Sequence, residues 1–158
     1  MTGRIAVGGI TRTDGLVLIR ILGVRPGPGL AAKTLATLGN ERINLTCVTS
    51  FVDAEKRDNL CLALGERDLD QALGLLQTIK EEIEARAIEY QRRCTSISIY
   101  GPHFSERPAI AARIFEVTAA AEVDVQMISS SFASVTFVIA QEAADPTVKA
   151  LREAFLVP

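Results

Sequence analysis

The sequence predicts an α+β protein made of two consecutive βαββαβ units. Apolar runs typical of strands alternate with segments whose apolar residues recur at helical spacing. The same order of elements occurs twice, with a constant offset that takes Pro28 to Pro108. The length of 158 residues suits one domain or two very small ones, so two small units fit the chain.

The first unit opens with a strand and a helix. The apolar run over 16–24 predicts a central strand, which ends in the proline and glycine residues of 26–29. From Pro28 onward, apolar residues recur at helical spacing as far as Leu38, and Gly39-Asn40 follows. This pattern predicts a helix of about three turns.

The rest of the first unit reads as a hairpin, a helix and a strand. Two short strands, 43–52 and 59–64, are joined by a charged turn and therefore predict a hairpin. Asp68 is expected to cap a second helix, whose apolar residues form one stripe as far as Ile83. A short strand over 85–90 closes the unit.

The second unit repeats this order. Chemically matched residues keep the same offset over about twenty positions, which chance does not readily produce. The matched residues are Pro28 and Pro108, Ala31-Ala32 and Ala111-Ala112, Lys33 and Arg113, Ile43-Asn44-Leu45 and Val123-Asp124-Val125, and Val48 and Ile128. The expected elements are a strand over 95–100, a loop to 108, a helix to about 121, strands over 124–130 and 134–140, and a helix over 145–155.

The N-terminal segment supplies a missing strand. The second repeat stops after its helix at Phe155, one strand short of the βαββαβ pattern, which would leave a sheet edge unpaired. The segment over 4–10 is short and strand-like, so we expect it to complete the second sheet. The predicted units are therefore 14–92 and 1–13 plus 93–158.

Composition excludes several classes of protein. Lys and Arg number 17 against 19 Asp and Glu, and no basic run is longer than a pair such as Arg92-Arg93, so neither nucleic acid nor an anionic membrane is an expected partner. The apolar runs are too short to span a bilayer, and the N-terminus lacks a signal-peptide pattern. Cys47, Cys61 and Cys94 fit neither a disulfide framework nor a zinc motif, which indicates reduced thiols in the cytoplasm.

The chain offers little for catalysis. His103 is the single histidine and stands beside Pro102, so a loop residue is a better interpretation than a general base or a zinc ligand. The glycine-rich segment 23–29 lacks the lysine and hydroxyl of a phosphate-binding loop. We therefore expect a protein that is not an enzyme and that needs no cofactor or metal.

Stretches in both halves resemble the paired ACT domains at the regulatory end of aspartate kinases. The resemblance covers nearly the whole chain. The stretches that carry it are 108–115, 123–129 and 150–155 in the second half, and Gly23-Val24, 28–32 and 43–45 in the first.

The resemblance implies a ferredoxin-like βαββαβ fold for each ACT unit. It also implies a small amino acid effector of the lysine or threonine class bound at unit interfaces, and homodimers that form through ACT sheets. Kinase activity would then reside in an aspartate kinase catalytic chain. Separately translated regulatory subunits of this size also occur among these enzymes.

Elementary chemistry points to the same region. The proline and glycine loops leave backbone N–H groups free at a helix N-terminus, which stabilises a carboxylate. The ammonium group of an amino acid needs hydrogen-bond acceptors, and Asn44 and Asp124 are available at the starts of strands in the first and second unit. The negative charge of Asp124 predicts that the site in the second unit binds more tightly. The expected effector-binding residues are Gly27, Pro28, Gly29, Leu30, Asn44, Thr46, Arg107, Pro108, Ala109, Ile110, Asp124 and Gln126.

Other interpretations remain open. The glycines alone would permit a tight turn, and Asn44 and Asp124 would serve as loop caps. Several polar positions of the aspartate kinase pattern are changed, which also fits an interaction module that dimerises without a ligand. An enzyme or an RNA-binding sheet is disfavoured, because the strands carry few aromatic residues. The changed positions are Pro26, Thr46-Cys47, Ser50-Phe51, Ala109 and Phe132.

Overall fold

The computed structural model describes residues 3–102, 104–107 and 109–158, so the predicted positions His103 and Pro108 lie outside the described residues. The chain divides into two compact units. Gly15–Arg92 form what we call the first unit, and Met1–Asp14 with Arg93–Pro158 form the second.

Two long strands contribute to both units. The strand β2 covers Gly9–Val24 and β5 covers Ala87–Tyr100, and the division between the units falls within each. The sequence had predicted shorter strands separated by polar residues. Those polar residues are largely exposed, and they extend the strands because backbone pairing needs no apolar side chain.

The first unit has the βαββαβ order. Its strand order is β3-β4-β2-β5, and β4 pairs antiparallel with both β2 and β3. Between β2 and β5 lie α1 (Leu30–Asn40), β3 (Leu45–Val52), β4 (Asp58–Gly65) and α2 (Leu69–Ile79).

Alternation along the strands builds the core of this unit. Every second residue from Val17 to Ile21 in β2 and from Leu60 to Leu64 in β4 is buried in one cluster with the apolar stripes of α1 and α2. The cluster contains Val17, Ile19, Ile21, Leu38, Leu60, Leu62, Leu64, Leu69, Ala72 and Leu76.

The second unit repeats the layout. Its strand order is β2-β5-β7-β6, so the N-terminal part of β2 holds the place that β5 holds in the first unit. The prediction that an N-terminal strand completes the second unit is therefore confirmed. The remaining elements are β1 (Ile5–Ala6), α3 (Ala109–Ala120), β6 (Met127–Ser130), β7 (Ser134–Ala140), α4 (Ala144–Ala154) and β8 (Phe155–Leu156).

Two details of that prediction were wrong. The predicted segment 4–10 is divided, because Ile5 and Ala6 pair in parallel with Phe155 and Leu156, whereas Gly9 already belongs to β2. The chain also does not stop at its last helix, since the two residues of β8 follow it. A two-residue strand is too short for an alternating pattern, so neither strand has a signal in the sequence.

The core of the second unit is equivalent to that of the first. Phe137 and Ile114 are fully buried, and Phe115 contacts Phe137 edge to face with ring centroids 5.7 Å apart. Leu151 of α4 and Phe155 of β8 belong to the same cluster.

The repeat is also visible in the backbone. Arg42 and Glu122, which occupy matching positions of the two repeats, follow α1 and α3 with φ values of 59° and 54°. The next N–H in each repeat bonds back to the helix, from Ile43 to the Leu38 carbonyl at 3.1 Å and from Val123 to the Thr118 carbonyl at 3.0 Å. Both helices therefore end in the same left-handed turn, a Schellman motif.

Candidate functional site

A proline and glycine loop joins β2 to α1 in the first unit. Its backbone is anchored at Arg25, whose N–H donates to the Ile83 carbonyl at 3.2 Å. Gly27 and Gly29 have φ values of 146° and 111°, a region that favours glycine. Among the described residues, no heavy atom beyond the chain neighbours lies within 4 Å of the place where a Cβ would stand on either residue, so backbone conformation and not crowding explains both glycines.

The loop presents the start of α1 without a cap. Gly29 is the N-cap residue and has no side chain with which to cap this helix end, and the first turn contains no acidic residue. The Gly29 carbonyl accepts the Lys33 N–H at 2.8 Å. The first N–H groups of an α-helix have no partner within the helix, so this end favours an anion.

Two depressions flank the loop, and they share Gly27, Gly29 and Leu30. The first, of about 210 Å³, is bordered by Arg25, Lys33 and Glu82. Its charged side chains form exposed ion pairs, from Lys33 to Glu82 at 3.1 Å and from Arg25 to Glu84 at 3.5 Å.

The second depression, of about 180 Å³, lies on the strand side of the loop. Ser50 of β3 and Asp58 of β4 contribute its polar groups. Leu30, Ala31 and Leu60 complete the wall. The start of α1 thus lies between one depression with two cations on its rim and another with a carboxylate.

A hydrogen-bond network holds this end of the sheet together. Asn59 accepts the Gly23 N–H at 2.9 Å and donates to Asp53 at 3.0 Å. Arg57 donates from its Nε to the Gly23 carbonyl at 2.7 Å. The amide of Asn59 and the Arg57 backbone N–H lower the pKa of Asp53. The β3–β4 turn is therefore tied to the end of β2, immediately before the loop.

The structure brings only part of the predicted first site together. Gly27, Pro28, Gly29 and Leu30 line the first depression, and their role in effector binding stays a prediction. Asn44 and Thr46 are exposed and line neither of the two depressions.

Strand register explains why Asn44 is distant from the loop. Asp58 pairs with Val24, at the loop end of β2. Asn44 precedes Leu45, which pairs with Leu64 near the opposite end of β4. The stretch of β4 between Asp58 and Leu64 spans about 20 Å, so a ligand carboxylate at the loop places its ammonium beyond the reach of Asn44.

In the predicted second site, Asp124 is likewise distant from the loop. Gly101 donates to the Ala133 carbonyl at 2.9 Å, so the loop that leads to α3 lies beside the start of β7. Asp124 precedes Gln126, whose N–H donates to the Val138 carbonyl near the far end of β7, at 2.8 Å. Asp124 and Gln126 therefore lie away from this loop, which contradicts the predicted pairing of Asp124 with a carboxylate site there.

The other predicted residues of the second unit differ from their counterparts. Arg107 and Ala109 are exposed, whereas the Ile110 side chain is buried in the core. Ala109 is already the first residue of α3, although its counterpart Gly29 precedes α1 in a left-handed conformation. The two helix starts are thus built differently.

Sequence reasoning missed Ser50 and Asp58. Asp58 was assigned to the hairpin turn, where charged residues are ordinary. The available signal was the hairpin itself, because antiparallel pairing places the end of β3 and the start of β4 beside each other.

Larger depressions lie on the second unit. One of about 480 Å³ and one of about 370 Å³ are lined by alanines of α3 and α4, with Arg113, Glu116 and Glu153 at their edges. Arg113 and Glu116 form an exposed ion pair at 3.3 Å. The larger of the two also includes Gly3, Arg4, Ile5 and Ala109, the first residue of α3. Neither contains a left-handed glycine loop like that of Gly27 and Gly29, so we take the loop of the first unit as the candidate site.

Two further observations concern metals and membranes. Among the described residues, no group of three or more His, Cys, Asp or Glu side chains is placed to hold a metal ion. The described helices include none that is long and apolar enough to cross a membrane. The three cysteines are thiols that form no disulfide among the described residues, and burial together with nearby Cys61 raises the pKa of Cys47 to about 11.

Known proteins similar to this chain are aspartate kinases or parts of them. Aspartokinase 2 of Bacillus subtilis (strain 168) is 26% identical over 155 residues, which is 98% of this chain and 38% of that protein. An aspartate kinase of Pseudomonas fluorescens (strain SBW25) is 28% identical over 94% of this chain and 36% of its own length. The chain thus spans a little over a third of the length of these curated relatives.

Solved structures show the same fold. The ligand-free regulatory subunit of aspartate kinase from Thermus thermophilus gives a TM-score of 0.86 at 23% identity, over 96% of this chain and 99% of that chain. A structure of aspartokinase alpha and beta subunits gives 0.85 at 23% identity, over 94% and 98%. Residues 97–155 match the ACT domain family. The whole chain therefore has the fold of an aspartate kinase regulatory subunit, its second half is similar to the ACT domain family over residues 97–155, and aspartokinases are its relatives in sequence.

Proposed function

We propose that this protein is a non-catalytic regulatory module that binds a small amino acid and controls an aspartate-kinase-type enzyme of amino-acid biosynthesis in the cytoplasm. The observation that carries the proposal is the start of α1 between two depressions, one bordered by the ion-paired side chains of Arg25, Lys33 and Glu82 and the other by the carboxylate of Asp58. The relationship to aspartokinases supplies the enzyme class.

The chemistry suits a zwitterion. The backbone N–H groups after Gly29 stabilise a carboxylate, and no acidic side chain in the first turn competes with it. The two depressions share three loop residues, so an amino acid seated there has opposite charges within reach on either side. Lysine and threonine are the first effectors to test.

We assign the kinase activity to a catalytic portion outside this sequence. Relatives in sequence are more than twice as long as the matched region. One structure of the same fold is described as aspartokinase alpha and beta subunits, which provides a precedent for a catalytic partner chain.

Thermal unfolding tests the binding proposal directly. The chain is heated with each of the twenty L-amino acids, and binding is then measured by calorimetry. A ligand present at 100 times its Kd stabilises the folded state by about 2.7 kcal/mol. If none of the twenty raises the Tm at millimolar concentration, the proposed function is wrong.

A second function is favoured by exposed apolar residues on a sheet edge. In the first unit β3 is an edge strand, and Val48, Phe51 and Val52 are 37%, 56% and 61% exposed. Ile128 of β6 and nearby Phe132 are also exposed, at 47% and 85%. Met127, the neighbour of Ile128, is buried, because successive side chains lie on opposite faces of an edge strand.

We propose that such an edge mediates homodimer formation through ACT sheets. Sedimentation equilibrium of the chain and of Phe51→Lys tests this. A dimer that dissociates in Phe51→Lys supports pairing at β3, whereas a monomeric chain contradicts it. A dimer that binds none of the amino acids identifies the chain as a ligand-free interaction module.

A further inference from the structure

A β-bulge interrupts β2 just before the glycine loop of the first unit. Ile21 of β2 pairs with Leu60 of β4. Three residues later, Val24 pairs with Asp58, which is only two residues from Leu60, so β2 carries one extra residue here. Gly23 lies in this stretch with a φ of 63°, and a left-handed glycine is typical of a G1 bulge. The extra residue of a bulge is left out of the strand pairing, so its backbone groups need other partners.

Two side chains supply those partners. The Gly23 N–H donates to Asn59 Oδ1 at 2.9 Å, and the Gly23 carbonyl accepts from Arg57 Nε at 2.7 Å. Asn59 is 4% exposed, so its hydrogen bonds are largely shielded from water. We call Asn59 and Arg57 the Gly23 clamp, because together they bond both backbone groups of that residue.

The β3–β4 turn holds the Gly23 clamp in place. The Asn59 amide donates to Asp53 at 3.0 Å and to the Arg57 carbonyl at 3.1 Å. Asp53 also accepts the Arg57 backbone N–H at 3.0 Å. Arg57 donates a second time from its side chain, to the Glu84 carbonyl at 3.2 Å. A buried network whose members are all bonded fixes one arrangement of the backbone around it.

Among its described residues, the second unit reaches the same point of the fold without a bulge or a clamp. Its loop to α3 follows Gly101, whose N–H donates to the Ala133 backbone carbonyl at 2.9 Å and whose φ is not positive. The strands β5 and β7 pair without a register shift from Cys94 to Tyr100. The βαββαβ fold therefore does not require the Gly23 clamp, which occurs beside the loop with two left-handed glycines.

We infer that Asn59 and Arg57 are positioning residues, which hold the bulge at Gly23 and thereby fix the direction in which the loop 25–29 leaves β2. The inference rests on the proposed function, because that loop is the candidate effector site. It also goes beyond that function, because neither residue lines either depression. A ligand that meets a formed loop does not have to order it, which lowers the cost of binding. The apparent affinity then follows the fraction of molecules in which the loop is formed.

Amide hydrogen exchange of the full chain, resolved by NMR, tests the positioning without a ligand. In Asn59→Ser the Gly23 N–H loses its partner, so the loop should open more often. We expect the amides of Arg25 and Lys33 to exchange about tenfold faster or more. Neither amide bonds to the Gly23 clamp, because both donate to other backbone carbonyls, so faster exchange there reports on the loop itself.

Thr95→Val is the matched control. Thr95 is also a buried polar residue, and its hydroxyl donates to Asp14 at 2.7 Å within the second unit. The variant therefore loses one side-chain hydrogen bond of a buried group but leaves the Gly23 clamp intact. Exchange at Arg25 and Lys33 should stay as in the wild type.

Calorimetric titration measures the effect on binding. The ligands are L-threonine, L-lysine and any other amino acid that raises the Tm of the wild type. We expect each to bind Asn59→Ser about tenfold more weakly and Thr95→Val with unchanged affinity. Arg57→Met keeps most of the side-chain stem and removes the donor to the Gly23 carbonyl. It should shift exchange and affinity in the same direction, and it serves as the second variant should Asn59→Ser fail to fold.

A swap of two side chains separates the hydrogen-bonded pair from a general loss of packing. Asn59→Asp sets a second carboxylate against Asp53, where the amide now donates at 3.0 Å, and should weaken binding. Adding Asp53→Asn restores one amide and one carboxylate. The double variant should therefore bind more tightly than Asn59→Asp alone.

Unchanged exchange at Arg25 and Lys33 in the folded clamp variants refutes the inference, and so does unchanged affinity. Equal losses in Thr95→Val refute it as well, because they would reflect stability alone. A double variant that binds no better than Asn59→Asp refutes the pairing with Asp53. A wild type that binds none of the twenty amino acids refutes the proposed function, and the exchange experiment then decides by itself whether the Gly23 clamp positions the loop.

Discussion

Replacing Thr34 with valine should stabilise the protein. Thr34 lies on the inner face of α1, its residue is 0% exposed, and its hydroxyl has no hydrogen-bond partner among the described residues. In the second repeat the matching position holds Ile114, which is also fully buried. The site therefore suits an apolar side chain, and Thr34→Val keeps the shape while it removes the hydroxyl.

The size of the effect follows from the cost of an unpaired group. Leaving a buried polar group without a partner costs about 1–3 kcal/mol, and the valine methyl group gains transfer free energy instead. We expect the free energy of unfolding to rise by about 1 kcal/mol or more. For a chain of this length, that corresponds to roughly 2–4 °C in Tm.

Urea unfolding followed by far-ultraviolet circular dichroism measures the change, since the chain contains no tryptophan. Thr118→Val is the control on α3, where the hydroxyl already donates to the Phe115 carbonyl at 3.0 Å. This control should give no gain. The reasoning is refuted if Thr34→Val leaves the urea midpoint unchanged or lowers it.

Three further changes test other parts of the description. Arg42→Gly should raise the free energy of unfolding by about 0.5–1 kcal/mol. The reason is that a left-handed residue with a Cβ costs about 1–2 kcal/mol, which is more than the conformational entropy that glycine loses on folding. Arg42→Ala keeps the Cβ and should give no gain in the same urea titration. Hydrogen bonds from Arg12 and Thr95 lower the pKa of Asp14. The contribution of Asp14 to stability is therefore present above the ordinary aspartate pKa and is lost as the pH falls through the lowered pKa. Below about pH 4, the Tm should fall less steeply with pH for Asp14→Asn than for the wild type. Cys47 should react slowly with a thiol reagent at pH 8 and faster as the pH approaches 11, and a fast reaction at pH 8 would contradict the burial of its thiol.

The fold was predictable because its signals are local and are repeated. The apolar period of α2 and the alternation of β4 each identify an element, and the constant offset between matched residues identifies the second copy. The long strands were harder, since the polar stretch 11–15 carries no apolar pattern and yet continues β2. Pairs as short as β1 and β8 lie below the length at which periodicity gives a signal.

The candidate site was only half predictable. Glycines and prolines before a helix identify the carboxylate side, because backbone conformation and helix N–H groups are local properties. The ammonium side depends on which end of a neighbouring strand meets the loop. Asn44 and Asp58 lie at opposite ends of the β3–β4 pair, and only the register distinguishes them.

Differences between the two repeats therefore locate function better than their agreement does. The positions that agree, such as the left-handed Arg42 and Glu122, end helices and serve the fold. Two of the positions that differ lie at one loop: a left-handed Gly29 where the second unit has helical Ala109, and a carboxylate at the start of β4 where β7 begins with a hydroxyl. A fold needs neither the strained glycine nor the unpaired carboxylate, since the second unit forms the same sheet without them. Both features suit a ligand with opposite charges at its ends, which is why we place the effector in the first unit.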